Sequence, residues 1–216
     1  MPEPVAFYPL NARYETAEKE NRQPRGILED VGITNGPYNE PGGAYMFYGT
    51  VRSFIEFSNR GGLDTRFSIT LMCWVQPSGE QYSGPLFSYG DSRNYLDDVV
   101  GMWIVEGHFS IIIAERYSES RHKIKTSKVL PVGKWVHVAA NYDHSTGNSS
   151  LYFNGHLSIS QYIGKGYVID TTAQKVRMGA VKGEENYSFK GKIAEMKVYD
   201  VALNETQIQT SIRQGS

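Results

Sequence analysis

Along Lys134–Tyr142 the chain alternates between apolar and polar positions. Val136, Val138, Ala140 and Tyr142 fall on one face of an extended strand, His137 and Asn141 on the other. Turn residues Asp143–Asn148 follow, and Ser149–Asn154 resumes the extended pattern, so the segment predicts an antiparallel hairpin. Similar short runs recur at Val5–Tyr8, Ala44–Tyr48, Ser53–Phe57, Phe67–Val75, Pro85–Tyr89, Gly101–Val105 and His108–Ala114. They continue at Lys123–Val129, Leu157–Ile163, Lys175–Gly179 and Lys190–Tyr199. So many short strands in one chain predict two packed sheets or a barrel.

The phase of each run says what it buries. In Phe67–Val75 the face Phe67, Ile69, Leu71, Cys73 and Val75 reads as buried; in His108–Ala114 Phe109, Ile111 and Ile113 point inward, while His108 and Ser110 meet solvent. In Gly191–Asp200 the expected buried face is Ala194, Met196 and Val198, opposite a mixed face of Ile193, Glu195, Lys197 and Tyr199. One helix is signalled, Glu205–Ile212, capped by Asn204 with Gln207 completing a capping box. Residues Asn11–Asn39 are polar and punctuated by Pro and Gly, and read as a long surface loop.

With 216 residues the chain suits a single all-β domain over 1–216. A net charge of −1 and a pI near 6.5 supply no electrostatic attraction for nucleic acid or anionic membranes. No apolar run reaches the roughly 20 residues of a spanning helix, so membrane insertion is not expected. The opening MPEPVAFYPL lacks the charged and apolar regions of a secretory leader. Cys73 is the single cysteine, which precludes an internal disulfide. Three triplets, at Asn148, Asn186 and Asn204, match the N-glycosylation acceptor pattern and lend mild support to secretion.

The succession FSITLMCWVQP, GPLFSYG, GMWIVEGHFSIII, LPVGKWVHVAANYD, LYFNGHL, VRMGA and FKGKIAEMKVYDVALNETQI resembles the laminin-G-like and pentraxin-like domains of the concanavalin-A-like superfamily. The resemblance implies a two-sheet antiparallel jelly-roll β-sandwich with a short C-terminal helix. Pentraxin-like domains tie the strand like FSITLMCWV to the strand like KWVHVAANYD by a disulfide; Ala139 and Ala140 stand where its second cysteine would be expected. Related domains also carry an acid in the strand like GKIAEMKVYD, where this chain has Ala194.

The resemblance also points to a calcium site at one rim, with an acidic pair in the connection Gly90–Val99 and further ligands from Val181–Ser188. Carried onto this sequence, the metal candidates are Asp97, Asp98, Glu184 and Glu185, all hard oxygen donors suited to Ca2+. Tyr95, Asn186 and Tyr187 flank these loops as candidate ligand-binding residues, since an aromatic ring packs against a pyranose face and an amide grips hydroxyls. The expected function is a non-catalytic extracellular module binding a glycan or glycoprotein, with calcium as a possible cofactor. The alternatives are a protein-binding adhesion module of a larger receptor or matrix protein and, third, a glycoside hydrolase.

Catalytic chemistry finds little support in the residues. No strand carries two acids spaced two apart, and Glu56, Glu106 and Glu195 are isolated. The histidines lack zinc-ligand spacing, and no nucleophile elbow or phosphate loop occurs. His137 reads as a hydrogen-bonded sheet residue, Trp74, Trp103 and Trp135 as core or sheet-face residues, and the basic run Arg116–Lys128 as a strand edge guarded by charge.

Overall fold

The computed structural model describes residues 1–79, 83–90, 100–118, 120–171, 175–181, 183–184 and 186–214. In chain order its strands are β1 (Ala6–Tyr8), β2 (Ile27–Glu29), β3 (Val31–Thr34), β4 (Ala44–Tyr48), β5 (Phe54–Phe57), β6 (Ile69–Pro77), β7 (Gly84–Tyr89) and β8 (Val100–Val105). There follow β9 (His108–Ala114), β10 (Arg121–Val129), β11 (Val136–Tyr142), β12 (Asn148–Phe153), β13 (His156–Tyr162), β14 (Val176–Met178) and β15 (Lys190–Tyr199), then helix α1 (Glu205–Arg213). One sheet runs β13-β12-β11-β6-β15-β4-β3, with β1 also paired to β15; the other runs β10-β9-β8-β7-β14-β5-β2. Every strand pair is antiparallel. The expected two-layer sandwich is what forms.

The layers close over an apolar interior. Ile69, Leu71, Cys73 and Val75 of β6 and Val138, Ala140 and Tyr142 of β11 meet Phe87 and Tyr89 of β7, Met102 and Ile104 of β8 and Phe109, Ile111 and Ile113 of β9. Tight hairpins fix the registers. Asn154-Gly155 joins β12 to β13 and Glu106-Gly107 joins β8 to β9, all four residues at φ between 49° and 82°, the left-handed geometry of a type I′ turn, which suits the twist of the strands. Across β6 and β11, Cys73 stands opposite Val138, not the expected Ala139 or Ala140, and its thiol is buried.

Four expectations need correcting. The stretch Asn11–Asn39 contains β2 and β3, short edge strands on β5 and β4. Phe67 lies ahead of β6, 56% exposed, edge-on to His144. In β15 a bulge between Ala194 and Lys197 reverses the phase: Ile193 faces the interior before it, Met196 and Val198 after it, and Ala194 lies opposite Trp74. One extra residue in a ladder does this because the side-chain period is two. The expected solvent face is also covered in places. Ser110 is fully buried, and Lys197 and Tyr199 lie beneath α1. The capping box of α1 is present as expected, with Asn204 Oδ1 accepting from Gln207 N–H and Gln207 Oε1 from Asn204 N–H, each at 2.9 Å.

Candidate functional site

The connection from β14 to β15 turns back on itself through an Ala180–Ser188 bridge. Inside it Val181 N–H donates to Tyr187 O at 3.1 Å, Tyr187 N–H to Glu184 O at 3.2 Å and Glu184 N–H to Val181 O at 3.3 Å. This compact turn holds Glu184 half-buried, Asn186 exposed and Tyr187 half-buried. The Tyr187 ring stands edge-on to Trp103, centroids 6.3 Å apart, in a small apolar cluster with Val105, Ile112 and Val181 on the outer face of the seven-stranded sheet. Trp103 Nε1 and Ser88 Oγ are buried there without a hydrogen-bond partner among the described residues. Three of the expected site residues, Glu184, Asn186 and Tyr187, therefore share one turn. Tyr95, Asp97, Asp98 and Glu185 lie outside the described residues. Among the described residues no three His, Cys, Asp or Glu side chains are grouped to hold a metal.

Farther across the same sheet face, Glu56 of β5 is a paired anion. Its carboxylate accepts from Lys175 Nζ at 2.7 Å and Arg177 Nε at 2.8 Å, and the Arg177 guanidinium lies 4.0 Å from the Phe54 ring centroid. Burial raises the proton affinity of Glu56, but the two hydrogen-bonded cations outweigh it and hold the group below the usual carboxylate range. A carboxylate so engaged is a poor proton donor.

The opposite sheet presents a feature the sequence reading passed over. At the β15 bulge Glu195 adopts φ 52°, an uncommon conformation for a residue with a side chain. It lines a cleft of about 540 Å³ together with Asn11, Arg13, Tyr38 and Glu40. Desolvation, with a smaller push from the Glu40 charge and opposing pulls from Lys197 and Lys19, raises the Glu195 carboxyl to about 7. The sequence signal available was a lone acid inside an apolar strand; the bulge that aims it outward is not encoded in the alternation.

His137 of β11 is 3% exposed, edge-on to Trp74 at 5.3 Å, and its Nδ1 has no partner among the described residues. Burial first, and the Lys197 charge second, depress it to about 3, so the ring is a neutral packing element. It remains a sheet residue as expected, bonded through its backbone N–H to Asn154 Oδ1 at 3.0 Å.

Comparison with known proteins agrees with this architecture. A family model described as the concanavalin A-like lectin/glucanases superfamily matches residues 49–209, and the chain belongs to that superfamily. Pentraxin-related protein PTX3 of Mus musculus is 22% identical over 152 residues, covering 67% of this chain and 38% of its own length. The chain thus spans under two fifths of that curated relative. Domain 4 of AbnA, a GH43 extracellular arabinanase from Geobacillus stearothermophilus solved with arabinotriose, superposes at TM-score 0.73 with 18% identity over 96% of this chain and 97% of that one. The binding domain of botulinum neurotoxin serotype G superposes at TM-score 0.75 with 13% identity over 98% and 51%. At these identities the structural likeness establishes the fold.

Proposed function

We propose that this protein is a non-catalytic glycan-binding module acting outside the cell, with calcium held at one rim. The observation that carries the reading is the Val181–Tyr187 turn, whose backbone bonds bring Glu184, Asn186 and Tyr187 into one turn beside Trp103. An aromatic face with flanking polar groups is the chemistry that retains a sugar ring. Membership of a superfamily of lectins and glucanases supports it, as does a domain of matching size solved with arabinotriose. The engagement of Glu56 by two cations removes that carboxylate from the candidates for a hydrolytic acid.

The donor set we propose for the metal is Asp97, Asp98, Glu184 and Glu185. All are oxygen donors, the type calcium takes, and bound calcium would supply a fixed positive charge for sugar hydroxyls. Thermal unfolding with and without millimolar calcium tests this part, because a ligand bound only by the folded form raises the midpoint. An unchanged midpoint, or glycan binding that survives EDTA and Asp98→Ala, removes the metal. A glycan array probed with the whole chain tests the rest.

A second reading, a protein-binding adhesion module, is favoured by a specific feature. The edge strands β2 and β3 and neighbouring β4 expose Ile27, Leu28, Ile33 and Tyr48, each at least 45% accessible. An Ile27→Glu, Ile33→Glu double variant that abolishes cell-surface adhesion while leaving array binding intact would favour that reading.

A further inference from the structure

Glu195 occupies the junction of two adjoining hollows on the outer side of the eight-stranded sheet. The larger, about 540 Å³, lies between the segment Pro9–Arg13 and the loop Tyr38–Gly43; the smaller, about 240 Å³, continues past Tyr14 and Lys19. A space of this combined size admits one or two sugar rings and falls within the usual range of small-ligand sites. Its walls are tied together by Ala12 N–H donating to Gly42 O at 2.7 Å, and the loop is braced by Gly36 N–H to Glu40 O at 3.0 Å and Tyr38 N–H to Glu40 Oε2 at 2.8 Å. The hollow is therefore built by hydrogen-bonded backbone.

The groups presented to it are complementary and uncommitted. Asn11 uses its Oδ1 on the N–H groups of Arg13 and Tyr14, which leaves its Nδ2 to donate outward. The Arg13 guanidinium lies 5.3 Å from the Tyr14 ring centroid and, among the described residues, pairs with no carboxylate. The Glu195 carboxyl has no hydrogen-bond or ion-pair partner among the described residues, although its backbone is fixed by donation to Pro9 O at 3.1 Å. The Tyr38 ring is 52% exposed and held edge-on to Trp74, centroids 5.7 Å apart. A desolvated carboxyl in a left-handed bulge, lining one cleft with an exposed ring and a guanidinium that has no carboxylate partner among the described residues, is the kind of strained, unsatisfied arrangement found at binding sites.

We propose that this cleft is a saccharide-binding subsite separate from the rim, with Tyr38 as the platform for the ring and Glu195, Arg13 and Asn11 gripping its hydroxyls. The inference rests on the glycan-binding reading above and adds a location on the opposite sheet. Planar guanidinium and carboxylate groups each engage two adjacent hydroxyls, which suits a neutral sugar diol better than a point cation. The charged groups acting on Glu195 are Lys197 from its own strand, Glu40 from the loop and Lys19 from the N-terminal segment, and Arg13 lines the same hollows. Ionised Glu195 accepts from two hydroxyls, whereas its protonated form accepts less, so sugar affinity at this site rises with pH across about 7.

The test is calorimetric or NMR titration of the whole chain with arabinotriose and a panel of neutral disaccharides at millimolar concentration. It compares wild type with Arg13→Ala, Tyr38→Ala, Glu195→Gln and, at the rim, Tyr187→Ala, each checked for an unchanged circular-dichroism spectrum. The expected result is a loss of about tenfold or more in the Arg13 and Tyr38 variants and a pH-independent affinity in Glu195→Gln. Sugar binding that is unaffected by the Arg13 and Tyr38 substitutions overturns the cleft while leaving the glycan reading standing. An absence of sugar binding in the wild type overturns both.

Discussion

His137 and Glu195 lie close in the eight-stranded sheet and respond to acid in opposite senses. The folded-state value of His137, about 3, is below that of an unfolded histidine near 6.5, so between those values only the unfolded chain takes up the proton. Its contribution is intact above about pH 6.5 and is lost as the pH falls toward 3. Glu195, raised to about 7 from 4.5, takes up a proton in the folded state first, so its contribution is present below about pH 4.5 and is lost as the pH rises through 7. Urea unfolding across this range should show the two slopes opposing each other from about pH 4.5 to 6.5. Glu195→Gln should stabilise the chain at pH 8 by on the order of 2 kcal/mol, with the gain vanishing near pH 4. His137→Gln should remove part of the acid-side slope; a slope unchanged by this substitution would show that the ring is not desolvated in solution.

At the scale of elements, α1 covers the outer face of the eight-stranded sheet and carries its own small interior. Ile208 and Leu203 pack on Met72, Ala139, Tyr152 and Tyr199. The approach to the helix is fixed by buried polar bonds, Thr70 Oγ1 to Val201 O at 2.6 Å and Asn141 Nδ2 to Leu203 O at 2.8 Å. Asn204→Ala should cost about 1 kcal/mol through loss of the cap, and Ile208→Ala about 2–4 kcal/mol through the cavity it leaves, both measurable by denaturant midpoints. The strands were legible wherever one face is buried, since the alternation that predicts β11 is the alternation that packs it. Strands β2 and β3 were not, because three or four edge residues reading ILE and VGIT bury too little to impose a pattern. The bulge in β15 escaped for a related reason. Its effect is a phase reversal, and Ala194 and Ile193 are both apolar, so the sequence does not reveal which of them turns inward.

For the molecule as a whole, the sandwich presents two separated surfaces of differing chemistry. The rim turn offers Glu184, Asn186 and Tyr187 propped by Trp103, and the cleft on the other sheet offers Arg13, Tyr38 and Glu195. The rim residues were singled out in the sequence through family likeness alone. The cleft was not, because it is assembled from Pro9–Arg13, Tyr38–Gly43 and a single bulged residue far along the chain. Basic residues along β10, the edge strand of the seven-stranded sheet, fit the expectation of a guarded edge, with Lys123 and Lys125 exposed.

The unpaired Cys73 has a practical corollary. Its thiol is fully buried in the interior, and desolvation pushes its ionisation well above the usual thiol range, so it is hidden from oxidants and alkylating agents alike while the fold is intact. Because the single cysteine forms no internal disulfide, refolding should proceed equally in the presence of dithiothreitol. A maleimide dye can then be attached at an introduced surface cysteine beside either the cleft or the rim, and sugar contact at each location followed separately by fluorescence without background from the native chain.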